Sequence, residues 1–127
     1  MQELKPGLTA SKVFRVAEEH LADRVGSGSV PVLATPALIA FMENVAFEMV
    51  ESRLPSDKTS VGSFIEVKHV KPVAPGGEVR IVARLEAVEG RRLVFWLEAW
   101  SGGELIGYGL HERVVVDRRG FLEKIGG

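Results

Sequence analysis

The sequence predicts an α+β fold in which an antiparallel five-stranded sheet wraps around one long central helix. Two observations carry that prediction. Residues 36–53 are apolar on almost every side of a helix, through Leu38, Ile39, Phe41, Met42, Val45, Phe47, Met49 and Val50, and such a helix lies inside something. After it come four extended segments separated by Gly- and Pro-rich turns, the signal of hairpins and hence of antiparallel pairing.

Taken in order, 13–17 reads as a first strand and 20–33 as a loop built around Gly26, Ser27, Gly28 and Ser29. Thr35 is placed to cap the helix with its hydroxyl, and Pro36 suits a first helical position that needs no N–H. The helix stops at Leu54-Pro55. Strands follow at 60–71, 78–88, 92–100 and 105–116, joined by Ala74-Pro75-Gly76-Gly77, Glu89-Gly90 and Ser101-Gly102-Gly103. In the segment 78–88, Val79, Ile81, Ala83, Leu85 and Ala87 alternate with Arg80, Arg84 and Glu86. The segment 92–100 is apolar on both faces, with Val94, Trp96 and Trp100 opposite Leu93, Phe95, Leu97 and Ala99. That pattern fits an outer face covered by a second subunit, so a two-fold homodimer is expected, with a tetramer as the larger option. The alternative is that the tryptophans cover a loop or a terminus.

At 127 residues the chain has room for one domain, 1–127, with a real core. A net charge of −1 gives no reason to expect nucleic acid or an anionic membrane as partner. No apolar run approaches the ~20 residues of a membrane helix, and MQELKPGLTASK lacks a signal-peptide core. The absence of cysteine removes disulfides, thiolate metal sites and a cysteine nucleophile, and is compatible with a cytoplasmic protein. Three histidines, far apart in sequence and without paired acidic ligands, make a weak case for zinc, and no metal is expected.

Glu43 is the residue that needs explaining. Asn44, Glu48 and Glu51 share one polar stripe of the helix, whereas Glu43 falls about 100° away, among Ile39, Phe47 and Val50. A partly desolvated carboxylate there is a candidate base; a boundary glutamate reaching water or an arginine is the plainer reading. In GSFIEVKHVKP, alternation puts His69 on the face of Ile65 and Val67, either as a satisfied core histidine or as a functional imidazole. Thr35 and Glu43 are eight residues apart, about 12 Å along the axis at ~1.5 Å per residue. They cannot touch, so either His69 bridges them or a two-fold partner supplies one member of the set. Gly107 and Gly109 share a face of the last strand, where a helix or a slender ligand arm can approach closely.

Several strings taken together resemble the fluoroacetyl-CoA thioesterase group of hotdog-fold acyl-CoA thioesterases: ATPALIAFMENVAF, VGSFIEVKHVKPVAPGGEV, LEAVEGRRLVF and IGYGLHERVVVD, in the family's order over about two-thirds of the chain. The resemblance implies a hotdog fold and thioester hydrolysis, with coenzyme A as part of the substrate and no other cofactor. It makes Thr35, Glu43 and His69 the catalytic set, Gly62 a main-chain contact near the thioester, and Arg113 a coenzyme A or substrate contact. One departure is plain. Where the fluoroacetyl enzyme has an aromatic lid between first strand and helix, this chain has the glycine- and serine-rich GSGSVPVL. Fluoroacetyl specificity is therefore not implied.

The chemistry suits those residues. Hydrolysis needs a nucleophile, a base, and donors where the carbonyl oxygen gathers charge. The amides of Ala37 and Leu38 at the helix N-terminus, or that of Gly62, are the donors expected. Glu43 is expected to act on water or on the carbonyl, Thr35 to attack or orient water, and His69 to move the proton. Lys71, Arg91, Arg92, Arg113, Arg118 and Arg119 are the cations available for phosphates. His111, two residues before Arg113, reads equally well as structural, and His20 carries no functional reading. The rivals are a hotdog hydratase, for which no aspartate stands beside a histidine, and a non-catalytic acyl-CoA binding or sensing module.

Overall fold

The structure is a computed structural model that describes residues 3–126. One antiparallel sheet is built from β1 (Thr9–Arg15), β2 (Lys58–His69), β3 (Glu78–Glu89), β4 (Arg92–Ser101) and β5 (Glu104–Asp117), in the order β1-β3-β4-β5-β2. The long helix α2 (Thr35–Glu51) fills the concave face. It buries Leu38, Phe41, Met42, Val45, Ala46, Met49 and Val50 against Val79, Ile81, Leu85, Leu93, Phe95 and Leu97. That interdigitated layer is the core, and it holds the helix rigidly against the strands.

Boundaries moved where the periodic signal is weak. The first strand lies at Thr9–Arg15 rather than 13–17. It is a largely exposed edge strand, fixed by its pairing with β3 from Thr9 opposite Arg84 to Arg15 opposite Glu78. A 3₁₀ turn, Glu18–His20, leads into the expected loop, which contains a short helix α1 (Ala22–Val25) that Gly26 ends at φ 90°. A C-terminal helix, α3 (Arg118–Gly126), was not expected. It buries no residue, so no apolar stripe announces it, and it opens where Asp117 Oδ2 accepts from the Gly120 amide at 2.9 Å.

Bulges shift side chains between faces. One in β3 sits between Leu85 and Ala87, so Leu85 opposes Phe95 but Ala87 opposes Val94. Ala87 therefore turns to the outer face, against the strict alternation expected of it. A second bulge, between Gly62 and Phe64 in β2, brings Gly62 opposite Arg113 while Ile65 stays opposite His111. The outer face carries half-buried Trp96 and Trp100, whose indole N–H groups donate to the two oxygens of Glu98 at 2.8 and 3.0 Å. Gly107 lets the helix in: a Cβ there would stand 3.0 Å from Leu38 Cδ2. At Gly109 it would meet the Glu66 carbonyl oxygen at 1.9 Å, a constraint set by the neighbouring strand.

Candidate active site

The helix starts one residue earlier than its sequence suggests. Thr35 is the first helical residue, Ala34 is the cap, and no side chain caps the N-terminus. The threonine hydroxyl is directed elsewhere: Thr35 Oγ1 and His69 Nδ1 are hydrogen-bonded at 2.9 Å. His69 reaches it because the last inward position of β2 ends beside the start of α2, opposite Gly107, where no side chain intervenes. Its Nε2 is buried with no hydrogen-bond partner among the described residues. Burial pushes the imidazole below its ordinary pKa, partly offset by the Lys71 main chain, so His69 is neutral at neutral pH. The pair lines a cavity of about 310 Å³, walled also by Ala22, Ser27, Val32 and Lys71.

Glu43 lies in a second cluster. Its Oε2 stands 3.9 Å from both Arg113 Nη1 and His111 Nε2, and its side chain is 40% exposed. A Cβ on Gly62 would come within 2.7 Å of that same oxygen, so a glycine is what allows the carboxylate to rest on the strand. Arg113 is buried; its Nε donates to Ser60 Oγ at 2.8 Å, Nη2 to the Ser60 carbonyl at 3.1 Å, and Nη1 to His111 Nε2 at 3.1 Å. Its guanidinium also sits over the Phe47 ring at 5.6 Å. His111 is fully buried and donates from Nδ1 to the Phe64 carbonyl at 2.8 Å. Burial, with Arg113 adding to it, depresses the His111 pKa.

Within one chain the structure thus joins Thr35 to His69, and Glu43 to Gly62 and Arg113, but does not join the two groups. Of the alternatives open from the sequence, a His69 bridge between Thr35 and Glu43 is absent, since His69 bonds Thr35 and Glu43 faces β5. Among the expected donors, the Leu38 amide is engaged by the Ala34 carbonyl at 3.0 Å, which leaves Ala37 as the helix-end amide for a ligand. Most of the candidate phosphate-binding cations are paired: Lys71 with Glu104, Arg92 with Glu89 and Glu112, Arg118 with Glu51, and Arg119 with Glu123. Ser60 is a site residue the sequence did not disclose. Counting by twos back from inward Ile65 points Ser63 and Val61 inward. The bulge reverses that, turning Ser60 and Gly62 toward the helix. His20 accepts from the Ala17 amide at 2.9 Å and packs edge-on against Phe41, a structural role.

The profile of the fluoroacetyl-CoA-specific thioesterase family matches residues 16–119. The fluoroacetyl-CoA thioesterase of Streptantibioticus cattleyicolor is 35% identical over 94 residues, covering 74% of this chain and 68% of that protein. A crystal structure of a phenylalanine-to-alanine variant of the fluoroacetyl-CoA-specific thioesterase FlK superposes with a TM-score of 0.93 at 27% identity, over 99% of this chain and 98% of that one. A Thermus thermophilus protein of the thioesterase superfamily gives 0.90 at 30% identity, over 99% and 93% of the two chains. The strand order, the buried helix and these matches agree: the chain belongs to the fluoroacetyl-CoA-specific thioesterase family, a group of hotdog-fold thioester hydrolases.

Proposed function

We propose that this chain hydrolyses the thioester of a small acyl-coenzyme A, giving the free acid and coenzyme A, at a site assembled from the Thr35–His69 pair and Glu43. The observation that carries this reading is the 2.9 Å hydroxyl–imidazole contact opening onto a cavity at a helix N-terminus. The Ala37 amide and the positive end of α2 suit the oxygen that becomes negative in the tetrahedral intermediate. Glu43 delivers the attack, either by taking a proton from water or by adding to the carbonyl carbon itself. The Thr35–His69 pair holds the carbonyl in place, and neutral His69 relays to the departing sulfur a proton drawn from the water that is consumed. The phenylalanine-to-alanine variant of FlK has been crystallised with fluoroacetate and coenzyme A.

A two-fold partner closes the gap between the clusters. β2 is an edge strand that carries Gly62 near its middle and His69 at its last position. Antiparallel pairing of β2 with its counterpart about an axis between Ile65 and Glu66 would set His69 of one copy opposite Gly62 of the other. Glu43, resting on Gly62, would then face the thioester held by the partner's Thr35 and His69. Among the described residues no helix is long and apolar enough to cross a membrane.

The test is release of free thiol from a panel of acyl-CoAs by the wild-type chain, Glu43→Ala and His69→Ala. Turnover that disappears in both variants while their folds persist supports the enzyme. Tight binding without turnover by the wild type would establish the sensing module instead.

A further inference from the structure

Ser60, His111 and Arg113 are the only buried polar or charged side chains among the described residues, and they are bonded to one another. Their geometry fixes one protonation state. The Phe64 carbonyl can only accept, so Nδ1 of His111 carries a proton. A guanidinium can only donate, so Nε2 of His111 is a bare lone pair directed at Arg113 Nη1, 3.1 Å away. His111 is therefore a neutral imidazole with both nitrogens engaged. The same Nη1 has a second hydrogen and stands 3.9 Å from Glu43 Oε2, a separation too long for a direct hydrogen bond. An arginine and a carboxylate with nothing between them close to about 2.8 Å.

We propose that His111 is a positioning residue: by accepting from Arg113 it holds the guanidinium back from Glu43, and so keeps that carboxylate free to act on the thioester. Three anchors make this hold specific. Ser60 takes two of the guanidinium's donors, His111 a third, and the Phe47 ring backs its plane. Removing only the His111 acceptor frees Nη1 to rotate toward Glu43, while the other anchors keep Arg113 buried. The carboxylate would then be drawn into an ion pair and away from the partner's thioester. No other cationic side chain stands within 4.0 Å of Glu43 among the described residues; Lys12 is tied to Glu48, and Arg118 to Glu51.

The inference rests on Glu43 acting on the substrate, so its test separates the two ideas. With three histidines in the chain, nitrogen-15 spectroscopy of the intact protein reads the His111 tautomer without any turnover. A neutral Nδ1–H form through neutral pH is expected; an Nε2–H form or an imidazolium would overturn the proposal. In kinetics, His111→Leu should lower kcat about 10-fold or more with KM for the acyl-CoA nearly unchanged, the range in which a misplaced general base falls. His111→Gln, which offers an amide N–H to Phe64 and a carbonyl to Arg113, should restore most of kcat. A crystal structure of His111→Leu should show Arg113 and Glu43 in direct contact. A folded His111→Leu with wild-type kcat, or a folded His111→Gln as impaired as the leucine variant, contradicts the proposal. If the leucine variant does not fold, the tautomer and the glutamine variant still decide. Should Glu43→Gln keep full turnover, the catalytic reading of Glu43 fails and the tautomer result stands apart.

Discussion

The two ends of the polar path along α2 are built on opposite terms. At the N-terminus, Thr35 and His69 share a single hydrogen bond, His69 Nε2 is left without a partner, and a cavity opens beside them. One helical stretch later, Arg113, His111 and Ser60 form a closed network, and Glu43 lies at its margin. A buried donor or acceptor without a partner costs about 1–3 kcal/mol. Arg53 Nε is the other such atom among the described residues, and what sets His69 Nε2 apart is the cavity beside it. The contrast supports the proposal that substrate sits at the His69 end and that the Arg113 end is the frame that aims the carboxylate.

Breaking each end should give opposite readouts. His69→Ala should reduce kcat by ~10² to 10⁴-fold yet change unfolding free energy by about 1 kcal/mol or less, since it removes one hydrogen bond and one orphaned nitrogen. Arg113→Met should instead lower stability by roughly 2–3 kcal/mol in urea unfolding, because it strands Ser60 and His111. Gly62→Ala sharpens the comparison further. The new Cβ would fall 2.7 Å from Glu43 Oε2, and since that oxygen is the end of a flexible side chain, the carboxylate moves rather than the strand. Turnover should drop by about 10-fold or more with the melting temperature nearly unchanged.

Acid should loosen both ends together. Burial holds His69 and His111 below the ordinary imidazole pKa, so the unfolded chain binds more protons than the folded one beneath that value. Stability should be full above about pH 6.5, the unfolded imidazole value, and fall as pH drops below it toward the depressed folded values. A melting temperature that rises on acidification through that window would contradict the assignment of both rings as neutral. The smallest effect belongs to the surface: Arg119→Ala removes an ion pair with Glu123 at 3.5 Å between highly exposed side chains. It should shift stability by less than about 0.5 kcal/mol.

The fold was legible where one periodicity dominates a long segment. The helix announced itself through seven buried apolar positions, and the four later strands through alternation and their turns. Edge strand β1 and helix α3 were not legible in this way, because neither buries a continuous apolar face. At the site, counting by twos placed His69 correctly, since no bulge lies between it and Ile65. The same count misplaces Gly62 and Ser60. A single inserted residue inverts every face upstream of it, and the one mark of it in VGSFIEV is Gly62, a glycine inside a strand. Gly62 entered the candidate set only through family likeness. Thr35 was expected to cap because a hydroxyl before a proline suits that role. The imidazole 34 residues further along the chain competes for the same hydroxyl and wins.

Mixing defective subunits tests the assembled site most directly. Thr35→Ala and Glu43→Ala chains, each inactive alone, are to be co-expressed with different tags and the mixed dimer purified for thiol-release assay. If the carboxylate of one copy serves the hydroxyl–imidazole pair of the other, each mixed dimer holds one intact site and recovers about half the wild-type rate, as two-fold symmetry requires. A mixed dimer no more active than its inactive parents would show that Thr35 and Glu43 do not act across the two-fold.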